Sequence, residues 1–192
     1  MDTKNAFIIA GPNGSGKTTF SISLIKNTNI LTGTHLNADI ILKAYENDED
    51  FKDLNPNEKH LKISALVEDT IDSLIKEGEN LILETVFSSK YKLDTFKKLK
   101  KAGYKINMVF VATKDPLINV NNVAVRYPKG GHEVAISKIF SRYSGSLENL
   151  KIVAELYEKN IEFRDFLNDI PYDFVEKFID NMIENLGIFK NK

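Results

Sequence analysis

Short apolar runs alternate with longer amphipathic segments along most of the chain. Strands are predicted for residues 6–10, 81–83 and 106–112, where apolar side chains cluster, and for the shorter run at 34–39. Because buried strands that are separated by helices favour parallel pairing, the alternation predicts an α/β fold with three layers. Helices are expected on both faces of a mostly parallel sheet.

Apolar positions at helical spacing predict a long helix at 58–76, which Gly78 ends, and a second helix at 91–102. The acidic and polar segment 47–57 precedes the long helix and is typical of a loop. Three of the predicted strands and these two helices fall within residues 1–102.

Beyond Thr113 the pattern becomes helical. Pro116 favours a helix start, one helix is expected to run through Arg142, and a separate helix is predicted at 147–157. The remaining residues predict a last short strand at 161–167 and a closing helix at 172–186. No Pro/Gly/Ser-rich stretch separates these parts, so we expect one domain over residues 1–192.

Composition limits the possible partners. The 192 residues are 42% hydrophobic, which allows one substantial core, and the net charge of −1 provides no basic field for nucleic acid. The lysines at 97–101 lie just before Gly103 and are expected to form the solvated end of a helix. The chain contains no cysteine and no apolar run that could span a membrane. We expect a cytoplasmic protein that binds neither nucleic acid nor membrane.

Residues 11–18 read Gly-Pro-Asn-Gly-Ser-Gly-Lys-Thr and directly follow the first predicted strand. This is a complete phosphate-binding loop, in which glycines allow backbone N–H groups to surround a polyphosphate. Lys17 would contact the β- and γ-phosphates, and the Thr18 hydroxyl would bind Mg²⁺. The motif predicts a P-loop NTPase-type fold that uses ATP and Mg²⁺. The residues expected to bind the nucleotide are Gly11, Pro12, Asn13, Gly14, Ser15, Gly16, Lys17, Thr18 and Thr19.

Polar side chains at the ends of two other strands are candidates for the same rim of the sheet, where ligands of such folds collect. Asp39 follows Asn37 and is placed to accept a proton from a substrate hydroxyl, although it could instead cap the next helix. Glu84 ends the strand 81–83 beside Thr85. Glu84 could hold Mg²⁺ through water, contact a substrate hydroxyl, or be an ordinary surface side chain.

Two arginines flank the Gly-rich loop at 127–132. Arg126 and Arg142 could bring guanidinium groups over the phosphates as parts of a lid at about 113–145, or they could be solvated helix side chains. The sequence Asn121-Asn122-Val123-Ala124 does not supply the Asn-Lys-x-Asp that reads guanine, which argues against a GTPase switch. His35 and His60 have no partners at metal-ligand spacing.

Several segments, in the same order along the chain, resemble the short, non-canonical branch of the zeta toxin family. They are residues 10–19, 37–39, 84–88, 103–104, 111–116, 130–132, 142–143 and 146–147. The resemblance implies a P-loop kinase that transfers the γ-phosphoryl group of ATP to a hydroxyl of a UDP-activated amino sugar. It assigns proton acceptance to Asp39, phosphate contacts to Lys17 and Thr18, and lid cations to Arg126 and Arg142.

The resemblance also implies that Asn37, Glu84 and Thr85 contact the substrate, and that an antitoxin protein is a possible partner. Val86 occupies a position at which the better-known branch carries threonine. The leading hypothesis is therefore an ATP- and Mg²⁺-dependent kinase that acts on a nucleotide sugar similar to UDP-N-acetylglucosamine. The alternative is a regulatory module whose nucleotide state controls a protein partner and whose hydrolysis is slow. A nucleic-acid end kinase is disfavoured by the neutral charge balance.

Overall fold

The computed structural model describes residues 4–27, 32–126 and 134–157. The chain divides into two units, 1–153 and 154–192, and all described residues except the last turn of one helix belong to the first unit. The loop predicted at 127–132, the strand at 161–167 and the helix at 172–186 lie outside the described residues. A single domain over the whole chain stays a prediction.

Four parallel strands form the sheet, in the order β2-β3-β1-β4. The strands are β1 (Asn5–Ala10), β2 (Thr34–Asn37), β3 (Leu81–Thr85) and β4 (Lys105–Phe110). Ala10 at the carboxyl end of β1 pairs with both Thr85 and Phe110, so three strands end at the same level. The predicted α/β fold with a parallel sheet is confirmed.

Seven helices connect and follow the strands within the described residues. They are α1 (Lys17–Asn27), α2 (Ala38–Ala44), α3 (Glu49–Lys52), α4 (Pro56–Glu77), α5 (Tyr91–Lys101), α6 (Pro116–Arg126) and α7 (Ile136–Tyr157). The long helix α4 begins with a capping box, in which Asn55 and Glu58 satisfy each other's backbone N–H groups, and it ends at Gly78 in the left-handed conformation.

Chain direction explains why helices cover both faces of the sheet. The chain passes from β1 to the edge strand β2 through α1. It then moves in the opposite direction across the sheet, from β2 to β3 through α4 and from β3 to β4 through α5. Since such crossovers are right-handed, α1 lies on one face, and α4 and α5 lie on the other. Lys98 on α5, within the predicted solvated cluster, joins Asp72 on α4 through an Nζ to Oδ1 distance of 2.7 Å. The core is filled by buried residues from both layers, such as Ile8, Ile71 and Leu99.

Four predicted boundaries are wrong. The strand predicted at 106–112 ends at Phe110. The second strand ends at Asn37 rather than residue 39, because Asn37 caps α2, and the amides of Asp39 and Ile40 already belong to that helix. The predicted loop 47–57 contains the short helix α3, whose first turn is capped by Asp48. The two helices expected on either side of Gly145 are one continuous helix, α7, because Gly145 packs directly against the backbone of Ser88.

Candidate functional site

The phosphate-binding loop spans the gap between β1 and α1 and is fitted tightly to α6. Gly14 has a φ of 77°, and a Cβ at this position would lie only 2.5 Å from the backbone oxygen of Asn119. Glycine is therefore required both by the conformation and by the approach of α6. Two side chains of that helix donate to loop carbonyls: Asn119 to Asn13 O at 2.6 Å and Asn122 to Gly14 O at 2.8 Å.

Asn119 is fully buried and is held from its other side by a hydrogen bond from the Thr113 hydroxyl to its Oδ1. Both halves of its carboxamide are thus used, which fixes the orientation of its amide nitrogen toward the loop. Sequence reasoning missed Asn119 and Asn122. The available signal was an asparagine at helical spacing from the buried Val123, on the face of α6 that should have been apolar.

Lys17, the first residue of α1, is buried, and its Nζ donates to Pro12 O at 2.9 Å. Burial lowers the pKa of Lys17 from 10.5 to about 8, although the nearby carboxylates of Glu84 and Asp39 act in the opposite direction. The positive charges of Arg126 and Arg142 contribute to this lowering of the Lys17 pKa. Lys17 therefore lies where two anionic and two cationic side chains converge.

Glu84, near the end of β3, is buried and is fastened to α1. Its two carboxylate oxygens accept from the Thr18 hydroxyl at 2.5 Å and from the Ser21 hydroxyl at 2.9 Å. Burial by itself raises the pKa of Glu84, but contacts with His35, Thr18 and Ser21 and the charge of Lys17 outweigh burial and leave this pKa below its usual value. Glu84 is thus an ionised carboxylate next to the candidate metal-binding hydroxyl, and the surface interpretation of this residue is wrong.

Asp39 lies in the first turn of α2 and is exposed at the mouth of the same cleft. The interpretation in which Asp39 caps this helix is wrong, because Asn37 provides the cap: its Oδ1 accepts from the amides of Asp39 at 2.9 Å and Ile40 at 3.2 Å. Asn37 lines the cleft as well as capping the helix. The cap leaves the Asp39 carboxylate available for a ligand.

Both arginines reach the cleft, from different helices. Arg142 on α7 donates from Nη1 to Asn13 Oδ1 at 3.1 Å, so α7 contacts the phosphate-binding loop as α6 does. Arg126 at the end of α6 has a buried Nε that makes no hydrogen bond to any described residue. An unpaired buried guanidinium N–H beside Lys17 is suited to an anionic ligand.

A second wall of the cleft is formed by the segment after β3 and by α4 and α5. Its lining residues are His60, Ser64 and Val67 from α4, Tyr91 and Lys92 from α5, and Val86, Phe87, Ser88 and Ser89 from the 86–89 loop. Sequence reasoning anticipated none of the helix residues in this role. Their spacing on amphipathic helices carries no signal for a ligand.

The structure brings most of the predicted site residues into one cleft. Those that line it are Asn13, Gly14, Lys17, Thr18, Asn37, Asp39, Glu84, Thr85, Arg126 and Arg142. The other predicted nucleotide-binding residues do not line it: Gly11, Pro12, Ser15, Gly16 and Thr19. The first four belong to the phosphate-binding loop, and Thr19 lies in α1. The Thr85 backbone oxygen accepts from Gly11 N at 3.2 Å, and its hydroxyl accepts from Phe87 N at 3.3 Å. Thr85 therefore joins the two walls.

The donor set suits Mg²⁺ only together with phosphate oxygens. The Thr18 hydroxyl and the ionised Glu84 are adjacent oxygen ligands of the type Mg²⁺ prefers, and Mg²⁺ usually keeps few protein ligands beside a nucleotide. Among the residues that the structure describes, no group of three or more His, Asp or Glu side chains could hold a metal ion by itself. No helix in the described ranges is long and apolar enough to cross a membrane.

Comparison with known proteins identifies the family. The sequence model of the zeta toxin family matches residues 2–165, most of the chain. No curated protein matches significantly. Among solved structures, the chain is similar to the AvrRxo1-ORF1:-ORF2 complex with ATP, with 17% identity, a TM-score of 0.66, and coverage of 83% of this chain and 52% of that chain.

Two further structures show the same fold. One is the PezAT chromosomal toxin–antitoxin system of Streptococcus pneumoniae, at 19% identity and a TM-score of 0.58 over 85% of this chain and 65% of that chain. The other is the Pnkp1/Rnl/Hen1 RNA repair complex, at 18% identity and a TM-score of 0.56 over 79% of this chain and 47% of that chain. The chain thus spans about half to two thirds of the length of each of these solved chains.

Proposed function

The chain belongs to the zeta toxin family, and on that premise we propose that it transfers the γ-phosphoryl group of ATP to a hydroxyl of a nucleotide sugar similar to UDP-N-acetylglucosamine. The observation that carries the proposal is the convergence of Lys17, Asp39 and the two arginines on one cleft. The cleft lining also includes the loop after β3 and parts of α4 and α5, which supports an acceptor site beside the nucleotide.

The donor half of the site binds the triphosphate. Backbone N–H groups of the loop and the start of α1 surround the phosphates, and Lys17 leaves Pro12 O to contact the β- and γ-oxygens. The Thr18 hydroxyl and Glu84 would hold Mg²⁺, which would supply positive charge beside the phosphates. The low pKa of Lys17 supports this role, because a buried ammonium that lacks a full counter-charge gains most from an anionic ligand.

Asp39 acts on the acceptor. A lone pair of the acceptor hydroxyl oxygen attacks the γ-phosphorus while the bond from this phosphorus to the β–γ bridging oxygen breaks. The hydroxyl proton passes to the Asp39 carboxylate, and ADP leaves. Asn37, which caps α2 through the amide of Asp39, sets the position of this carboxylate at the cleft mouth.

The arginines stabilise the transferring group. Arg126 has a free Nε donor toward the cleft, and Arg142 reaches the loop through Asn13. Negative charge spreads over the equatorial oxygens of the transferring phosphoryl during the reaction, and guanidinium groups placed beforehand interact with it most strongly at that stage. Because PezAT is described as a toxin–antitoxin system, an antitoxin is also a possible partner of this chain.

ADP release measured with and without a panel of UDP-sugars tests the proposal. Turnover that depends on an acceptor, and that is lost in Asp39→Asn while Asp50→Asn retains it, is the expected result. Asp50 is a suitable control because it is exposed on α3 and does not line the cleft. ATP binding without stimulation by any acceptor would contradict the kinase and would favour the regulatory module.

A further inference from the structure

The 86–89 loop is part of the second wall of the cleft, which we call the acceptor wall. It contains the one backbone outlier among the described residues. Phe87 has a φ of 60°, the only non-glycine residue in the described ranges with a positive φ. Its ring is buried and lies 5.2 Å from the ring of Phe96, so the residue is anchored in the core. A bulky side chain rarely adopts this conformation unless its surroundings impose it, and such outliers concentrate at ligand sites.

Asn149 on α7 imposes much of this conformation. Its Nδ2 donates to Phe87 O at 2.9 Å and to Ser89 O at 3.1 Å, so one amide group holds the carbonyls on both sides of Ser88. Asn149 is only 2% exposed and does not line the cleft. Ser89 O also accepts from Lys92 N at 3.0 Å, so Asn149 adds two buried links from α7 to a loop that is partly held by local bonds.

Gly145, one helical turn before Asn149, brings α7 close enough for these bonds to form. A Cβ at position 145 would lie 2.8 Å from Ser88 O, closer than a real Cβ can approach a carbonyl oxygen. On the other side of the loop, the Thr85 hydroxyl accepts from Phe87 N. The loop is therefore held from α7 and from the end of β3 at once.

We propose that Asn149 is a positioning residue for the acceptor, acting through the 86–89 loop, and that it has no direct part in binding ATP. This inference rests on the proposed function, since it assigns the wall formed by Val86, Ser88 and Ser89 to acceptor recognition. The backbone and hydroxyls of the two serines are the polar groups that the 86–89 loop offers to a sugar. Their placement in the cleft lining depends in part on the two hydrogen bonds from Asn149.

The test uses the full chain with Asn149→Leu and Asn149→Gln. Leucine keeps the approximate volume and removes both donors, whereas glutamine keeps an NH₂ group and should rescue partly. Asn107→Leu is the matched control, because Asn107 is also buried but lies on β4 outside the cleft lining. Amide hydrogen exchange is compared for residues 86–89 and 11–16, together with the ATP Kd, and with KM and kcat for the acceptor.

In Asn149→Leu, exchange at 86–89 is expected to accelerate while exchange at 11–16 and the ATP Kd stay unchanged, and the acceptor KM should rise about tenfold or more. Unchanged exchange at 86–89, or equal losses for ATP and acceptor as in a general loss of stability, would overturn the inference. If leucine prevents folding, the same comparison in Asn149→Gln decides. Failure of the wild-type protein to use any acceptor would refute the proposed function, and the exchange comparison would still show whether Asn149 holds the loop.

Discussion

The wall that contains the phosphate-binding loop and the wall that contains the 86–89 loop are each held by a buried asparagine from a neighbouring helix. Only the first of these walls is marked by a sequence motif. Asn119 of α6 donates to the phosphate-binding loop, and Asn149 of α7 donates to the 86–89 loop. In both places a glycine permits close packing. Gly14 approaches the backbone of Asn119, and Gly145 approaches the backbone of Ser88. In both places a buried asparagine that does not itself line the cleft donates to a loop that does.

The walls differ in their own chemistry. The phosphate-binding loop recognises phosphate through its backbone, which demands a particular pattern of glycines and a lysine. The 86–89 loop has no such motif and adopts its shape through contacts that are distant in sequence. ATP binding at the wall formed by the phosphate-binding loop, the donor wall, should therefore be most sensitive to substitutions in that loop. Acceptor binding at the acceptor wall should also be sensitive to substitutions in α7.

Lys17→Met is expected to have the largest effect on the donor wall. ATP binding and turnover should fall below detection, because methionine fills the same space without the charge. Lys26→Met, on the exposed side of the same helix, should leave turnover unchanged. Isothermal titration with ATP and an ADP-release assay measure both effects. Wild-type-like turnover in Lys17→Met would remove the argument for the phosphate-binding loop.

The same substitution should stabilise the nucleotide-free protein. The pKa of Lys17 is about 8 in the folded chain and 10.5 when unperturbed, so the unfolded state binds more protons between these values. The cost of the buried charge is present in full below pH 8 and disappears as the pH rises toward 10.5. At pH 7 the free energy of unfolding of Lys17→Met should exceed that of the wild type by on the order of 1–3 kcal/mol. Equal unfolding curves at pH 7 would contradict this.

Asp39→Asn tests the proposed proton acceptor. ATP affinity should be kept, and kcat should fall by about 10²-fold or more, since asparagine preserves the shape but cannot accept a proton. Titration with ATP and steady-state kinetics with the best acceptor provide the two numbers. A decrease of less than a few-fold would show that another group takes the proton.

Alanine at Arg126 or Arg142 should reduce kcat by about 10-fold to 10³-fold and weaken ATP binding much less. Lysine should rescue only partly, because it lacks the planar fork that contacts two phosphate oxygens at once. A parallel series of kcat and nucleotide affinity checks this expectation. Unchanged kcat in both alanine variants would show that these are ordinary surface arginines.

Asn119→Leu is the donor-side counterpart of Asn149→Leu. It should raise the KM for ATP by about tenfold and leave the acceptor KM unchanged, the reverse of the pattern expected for Asn149→Leu. It should also cost about 1–3 kcal/mol of stability, because Asn13 O and the Thr113 hydroxyl lose a buried partner. Measuring both KM values in both variants sharpens the comparison most. The same KM pattern in the two variants would mean that the walls are not independent.

Gly145→Ala should have the smallest effect. Alanine favours helix by about 1 kcal/mol over glycine, yet its Cβ must displace the Ser88 carbonyl. The acceptor KM should therefore rise a few-fold while the melting temperature changes little, and ATP affinity stays at its wild-type value. A lowered melting temperature with unchanged acceptor KM would show that Gly145 serves only packing.

The donor wall and the sheet could be predicted from the sequence, because apolar periodicity and the phosphate-binding motif are local signals. The strands at 6–10 and 81–83 and the helix at 58–76 lie close to the observed elements. The partners of Asn119 and Asn149 could not be predicted, since they lie 106 and about 60 residues away in the sequence. The continuity of α7 through Gly145 was missed for a related reason: the glycine is explained by Ser88, not by its neighbours in the chain.

The central claim is that this cleft transfers the γ-phosphoryl group of ATP to a hydroxyl of a nucleotide sugar. Mass spectrometry of UDP-N-acetylglucosamine after incubation with ATP, Mg²⁺ and the protein tests it most directly, with Asp39→Asn and Asp50→Asn in parallel. We expect a sugar product that carries one added phosphoryl group with the wild type and Asp50→Asn, and at least about a hundredfold less of it with Asp39→Asn. A sugar that stays unmodified in every reaction, although the protein binds ATP, would contradict the account.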